Sequence, residues 1–305
     1  MFDLSGHTLH NRLGIFALKP APVQISWMGF LGSTAMPNMD YFLADSFIIQ
    51  KEETKKQFTE KVYLLPDVWE CYTPPFDLKK QNIKNAPLLK NNYLTFGSFA
   101  NPNKVNEKTI ELWAKILNKI PESHLFYLRT NFKENALKEE YIQRFLNYGI
   151  SQNRIEIVGI DNLEEYKNSF EKVDIILDSF PVGGMTTTCE SLLMGLPTLC
   201  LAGDLMASRL SALCMHVLNL DEWIAHDENE FVEKAVCFNS YFKNNPQQLN
   251  ELRFSLRNKM LNSPLCDNVL FAQNFEKMLW DVWNEFLNQN QYKKNKKSTV
   301  NGKKF

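Results

Sequence analysis

An α/β fold built on a doubly wound parallel sheet is what this 305-residue sequence predicts. Three observations predict it. From residue 93 onward, strand-like and helix-like stretches alternate regularly. The strands are short and apolar on both faces, as in Val173-Asp174-Ile175-Ile176-Leu177, the pattern of a sheet covered on two sides. A glycine-rich turn, Pro181–Glu190, then follows one of those strands and opens a helix.

Strand Tyr93–Phe99 starts the series. A helix over 106–119 leads to strand His124–Leu128, and a helix over 134–148 leads to strand Arg154–Val158. A short helix from Leu163 leads to strand Val173–Asp178, and a helix beginning near Thr187 leads to strand Thr198–Leu201. Helices follow over 204–216, 228–242, 246–261 and 268–286, each with apolar residues at i, i+3, i+4 spacing. Ahead of the series, a helix-like stretch ends at Lys19-Pro20-Ala21-Pro22, where two prolines stop it. Strands are expected at Val23–Trp27, Tyr41–Leu43 and Val62–Leu65. The resulting division is a partial first domain over 1–66, a Pro-, Asn- and Lys-rich linker over 67–92, a second domain over 93–287, and a disordered basic tail over 288–305.

Composition narrows the function classes. Hydrophobic residues make up 44% and charged residues 23%, ordinary values for a globular domain. A net charge of −1 speaks against nucleic acid as partner. No apolar run reaches the roughly 20 residues that cross a bilayer, and the N-terminus lacks the layout of a signal peptide. The six cysteines include no CxxC pair, and the five histidines lack ligand spacing. Reduced thiols, a cytoplasmic location and no metal centre are therefore expected.

Four segments can carry chemistry. In Asp178–Glu190, Gly183 and Gly184 allow unusual φ values and close approach of a ligand. Thr186 and Thr187 place hydroxyls and unpaired N–H groups at a helix start, where a diphosphate is favoured, and Glu190 can accept from a ribose diol. A capping box, Thr187-x-x-Glu190, accounts for the same residues equally well. In Phe96–Val105, Lys104 can neutralise a leaving phosphate or be a solvated loop lysine, and Asn101 can contact a ligand or merely form a turn. In Asp3–Arg12, His7 and Arg12 are candidates for phosphate, sugar or acidic contacts, or plain surface groups. In Leu201–Arg209, Ser208 and Arg209 can close over a nucleotide or form an ordinary helix start.

These segments, in this order, resemble the catalytic region of the protein O-GlcNAc transferase family, in its bacterial SPINDLY-like form. The matching phrases are DLSGHT (3–8), NRLGIFALKPAPVQISWMGFLGSTAMPNMDY (11–41), TFGSFANPNKV (95–105), LDSFPVGGMTTTCESLLMGLPT (177–198), LAGDLMASRL (201–210) and SPLCD (263–267). The resemblance implies a GT-B fold, here one complete Rossmann-like domain plus the C-terminal part of a preceding one. It also implies inverting, metal-independent transfer of N-acetylglucosamine from UDP-GlcNAc to Ser or Thr of protein acceptors, with no cofactor. It casts Lys104 as the lysine that holds the UDP phosphates, with Asn101 on the nucleotide. Gly184, Met185, Thr186 and Thr187 fall on the diphosphate loop, and Glu190 on the ribose. Gly29 lies beside the donor sugar, and His7 in the N-terminal phrase and Arg12 in the acceptor cleft are, with Lys104, the expected catalytic residues. Tyr166 stands where relatives place a histidine against uracil, and Met185 where they have a polar residue.

Family members carry most of an N-terminal Rossmann domain, often after helical TPR-type repeats, ahead of DLSGHT. The chain is thus expected to be a fragment that pairs with a separate N-terminal half. Related readings keep the fold but change donor or acceptor (UDP-glucose to Asn, GDP-fucose to Ser or Thr), or leave a non-catalytic UDP-binding remnant.

Overall fold

A computed structural model describes residues 1–50, 52–75 and 77–301; the side chains of 53, 54, 290 and 292–301 are not described. The chain forms two compact units, Met1–Cys71 with Asp267–Phe305, and Tyr72–Cys266.

The first unit contains strands β1 (Phe2–Asp3), β2 (Ile25–Ser26), β3 (Tyr41–Asp45) and β4 (Lys61–Leu65), with short helices α1 (Leu13–Ala17) and α2 (Glu52–Lys55). The strands pair in parallel in the order β1-β2-β3-β4. The register is longest between β3 and β4, from Tyr41 opposite Lys61 to Asp45 opposite Leu65.

The second unit starts with helix α3 (Leu88–Asn91) and strand β5 (Thr95–Ser98). It continues through α4 (Glu107–Lys119), β6 (His124–Leu128), α5 (Asn135–Asn147), β7 (Ile155–Val158), α6 (Leu163–Ser169) and β8 (Ile175–Leu177). Then come α7 (Thr186–Leu193), β9 (Thr198–Leu201), α8 (Leu210–Val217), β10 (Ile224–Ala225), α9 (Glu228–Asn244) and α10 (Pro246–Leu261). Its six strands are all parallel, in the order β10-β9-β8-β5-β6-β7. Counted from β5, this is the doubly wound 3-2-1-4-5-6 order, which reverses direction between β5 and β8. A ligand crevice is expected there, at the carboxyl ends of those two strands.

Local chemistry explains the element ends. Asn106 caps α4 by accepting from Thr109 N at 2.9 Å, and the helix then buries Ile110, Trp113, Ala114 and Leu117 on one face. Gly97 sits mid-strand in β5 because a Cβ there would lie 2.5 Å from Val173 Cγ1. Gly97→Ala is therefore expected to lower stability by about 1–3 kcal/mol through overpacking, read as a lower urea midpoint with an unchanged m-value.

The final helix, α11 (Asn268–Asn301), belongs to the first unit. Its Met278 and Val282 are buried with Val23, Ile25, Tyr41, Leu43 and Leu65. Lys61 pairs with Glu285 at 2.6 Å, and Tyr63 donates to Asp281 at 2.7 Å.

Three boundaries differ from those the sequence predicts. The stretch 67–92 is not a linker: Trp69 and Leu88 are buried, and their backbone N–H groups donate to the buried carboxylates of Asp45 and Asp174. Prolines and asparagines erase periodicity there without preventing packing. The second unit ends at Cys266 rather than 287, because α11 returns to the first sheet. Residues 288–301 continue α11 where a disordered tail is expected. Lys, Gln and Asn lack an apolar face, but Lys and Gln are good helix formers and extend a helix already nucleated by packing. Residues 302–305 lie outside the described residues.

Candidate functional site

The region beyond the carboxyl ends of β5 and β8 gathers most of the sequence-predicted residues of the second unit. Lys104 lies in the turn after β5, and its Nζ donates to Gly183 O at 3.0 Å. Burial pulls its pKa below the usual lysine value, Asp178 opposes that, and the nearby Arg129 adds to it. The ammonium is thus held partly out of water, where its charge acts strongly on an anion.

The loop after β8 is tied down from beneath. Phe180–Pro181 is a cis peptide. Thr109 Oγ1 donates to Phe180 O at 2.7 Å, and Ser179 Oγ donates to Val182 O at 2.7 Å. Gly184 N donates to Asp178 Oδ1 at 3.1 Å and to Ser211 Oγ at 3.0 Å, while Ser211 Oγ donates to Gly184 O at 2.6 Å. Burial raises the Asp178 carboxyl to about 6, against the pull of Ser211, backbone N–H groups and Lys104.

The two glycines serve packing rather than unusual backbone angles, which corrects the expectation from sequence. Neither has a positive φ. A Cβ on Gly183 would lie 2.7 Å from Asp178 Oδ2, and one on Gly184 would run into Thr187 Oγ1.

Helix α7 then begins at Thr186 with no side-chain cap bond on its first turn. The capping box is absent: Thr187 O accepts from Ser191 Oγ at 2.7 Å, and Glu190 instead accepts from Tyr166 OH at 2.6 Å. The N–H groups of the first turn therefore have no side-chain acceptor of their own, an arrangement suited to an anion. Thr186 is exposed and Thr187 half-buried, so their hydroxyls are within reach of a ligand.

Other predicted residues play different parts. Met185 turns inward, 8% exposed, with Cys214 Sγ at 3.6 Å from its sulfur, so only its backbone belongs to the loop mouth. Tyr166 is 9% exposed, packed edge-on against Phe99 and Phe170, and offers a hydroxyl rather than a ring face. Asn101 Oδ1 accepts from Asn103 N at 3.0 Å, the turn-forming alternative. Arg209 is 5% exposed and donates from Nε to Gly203 O at 2.8 Å, a buried brace of its own loop.

Three contributors escape sequence reading: Arg129 at the end of β6, and Asp178 and Ser211 beneath the loop. Arg129 Nη1 donates to Phe99 O at 3.1 Å, and its charge acts on both Lys104 and Glu190. Its position immediately after an apolar strand was the available signal.

His7, Arg12 and Gly29 lie in the first unit. His7 Nε2 donates to Thr34 O at 2.9 Å, with its ring edge-on to Phe30. Arg12 Nη1 donates to His10 O at 2.9 Å and Asn11 O at 3.1 Å. Gly29 passes so close to Leu4 O that a side chain would not fit. Among the described residues no group of three or more His, Cys, Asp or Glu side chains gathers as a metal site, and no helix is long and apolar enough to cross a membrane.

Two parallel α/β sheets, with an uncapped helix start at the switch point of the second, define a glycosyltransferase fold of the GT-B class. Among solved structures, an O-GlcNAc transferase mutant from Thermobaculum terrenum superposes with a TM-score of 0.84 at 25% identity, covering 95% of this chain and 54% of that one. Sucrose-phosphate synthase from Thermosynechococcus elongatus shares the fold at a TM-score of 0.56 and 13% identity, covering 86% and 68% of the two chains.

The chain belongs to Glycosyl transferase family 41, whose pattern matches residues 1–71 and 82–275. It is 35% identical over 287 residues to the probable UDP-N-acetylglucosamine–peptide N-acetylglucosaminyltransferase SPINDLY of Petunia hybrida. That match covers 94% of this chain and 30% of the relative, so the chain spans under a third of its length.

Proposed function

We propose that the chain supplies the donor-nucleotide part of a cytoplasmic, inverting, metal-independent transferase that moves N-acetylglucosamine from UDP-GlcNAc to Ser or Thr hydroxyls of proteins. In this reaction the acceptor oxygen bonds to the anomeric carbon as the bond to the UDP oxygen breaks, so negative charge builds on the departing diphosphate. In this reading Lys104 and the first-turn N–H groups of α7 stabilise that charge, and Glu190 holds the ribose. Gly29, His7 and Arg12 are assigned to the sugar and acceptor side.

The observation that carries this reading is Lys104 Nζ resting 3.0 Å from Gly183 O, beside a helix start that lacks its own cap. Calorimetric titration of the chain tests it: UDP is expected to bind at least tenfold more tightly than GDP, with affinity unchanged within twofold when EDTA is present. Preference for GDP, or loss of binding in EDTA, counts against it.

A further inference from the structure

We infer that Tyr166 is a positioning residue for Glu190, and that the pair makes this pocket selective for a nucleoside diphosphate with an intact ribose 2′,3′-diol. The inference rests on the nucleotide reading above and deepens it.

The phenol of Tyr166 has little freedom. Its ring is 9% exposed and meets Phe99 edge-on at 5.6 Å and Phe170 edge-on at 5.0 Å. These two rings also pack against each other, with centroids 4.7 Å apart, and their edge-to-face contacts restrain the tilt of the buried ring, so the hydroxyl projects in one direction. That direction is Glu190 Oε2, to which it donates at 2.6 Å, the short length of a charge-assisted O–H···O⁻ bond. Among the described residues, Glu190 Oε1 has no recorded hydrogen-bond donor. A freely rotating carboxylate offers a hydroxyl either oxygen in many orientations. This one is clamped at Oε2 and presents Oε1, an acceptor fixed in space.

The surroundings act on that acceptor in opposite senses. Burial holds the Glu190 carboxyl above its usual range, and the Tyr166 hydrogen bond and the Arg129 charge limit that rise. The third group facing it is Tyr72, 8% exposed, whose hydroxyl has no hydrogen-bond partner and whose pKa Glu190 helps to raise. An unpartnered buried hydroxyl that feels the charge of a fixed carboxylate is a second polar group that a hydroxylated ligand can satisfy. A site built to hydrogen-bond a hydroxyl rejects the analogue that lacks it, because the fixed acceptor is left unpaired.

The test is calorimetric titration of the full chain and its variants with UDP and 2′-deoxy-UDP. The unmodified chain is expected to favour UDP by about tenfold or more. Tyr166→Phe is expected to weaken UDP by about tenfold and 2′-deoxy-UDP by less than twofold, collapsing the ratio. It should also raise the pH at which UDP binding falls off in acid, since the carboxyl loses the phenol that favours its charged form. Glu190→Gln should give the same collapse, and the double variant no more than either alone. Equal weakening of both nucleotides in Tyr166→Phe, or an unchanged ratio, overturns the inference while leaving the UDP reading intact. Failure of the unmodified chain to bind UDP overturns both.

Discussion

Replacing Lys104 by Ala is expected to weaken UDP binding by about 100-fold, close to 2.7 kcal/mol, within the range of a hydrogen bond made by a charged group. The size of the effect follows from where the ammonium sits. Burial and Arg129 both disfavour its charge, and Asp178 favours it. A diphosphate arriving beside Gly183 would supply the counter-charge that the pocket alone provides incompletely. Asp178 stands directly behind the same loop, and its carboxyl is already raised to about 6 by burial. Without Lys104 that carboxyl loses one of the groups that favour its ionised form, so it is pushed higher still. The lysine thus answers to a buried carboxyl on one side and to the ligand on the other. Titration with UDP, with circular dichroism to confirm the fold, reads the result. A change of less than threefold would remove Lys104 from the phosphate site.

Much of this arrangement was legible in the sequence because strands and helix starts announce themselves locally. His124–Leu128, Thr198–Leu201 and Pro246–Leu261 fall where their apolar runs, turns and proline place them. The Pro181–Glu190 loop could be found but not interpreted, since Thr187-x-x-Glu190 fits a capping box as well as a ligand clamp. What separates the two is Tyr166 OH on Glu190, a contact across 24 residues that no local pattern encodes. The same limit hid Arg129 and Ser211, which reach the loop only after β6 and α8 are in place. It also misplaced α11, whose weakly amphipathic sequence does not say which sheet it covers. Met185 illustrates the opposite error. Its position beside the phosphate loop suggested a ligand contact, but side-chain direction at a helix start depends on packing, and here the sulfur meets Cys214.

Arg253→Ala is expected to cost about 3–5 kcal/mol of stability, because three backbone carbonyls lose a buried charged donor at once. Helix α10 buries Leu249, Arg253, Leu256 and Met260, and Arg253 lies within this otherwise apolar group at 1% exposure. Its guanidinium donates to Val173 O at 2.7 Å, Lys84 O at 3.2 Å and Phe170 O at 3.3 Å, fastening α10 to the segments that flank β8 and β5. Asp174 is fully buried nearby and accepts from Thr95 N at 2.9 Å and Leu88 N at 3.0 Å. Burial raises its pKa to about 6, and the Arg253 charge limits that rise. A carboxyl raised in the folded state contributes stability that is full below its unfolded value, near 3.9. That contribution is lost as pH climbs through the folded pKa. Removing Arg253 lifts the folded pKa further, so more stability disappears on the way to neutral pH. The destabilisation by Arg253→Ala should therefore be larger at pH 8 than at pH 5, measured by urea unfolding at both. Equal losses at the two pH values would mean that the three carbonyl contacts carry the whole effect and that the Asp174 charge does not depend on Arg253.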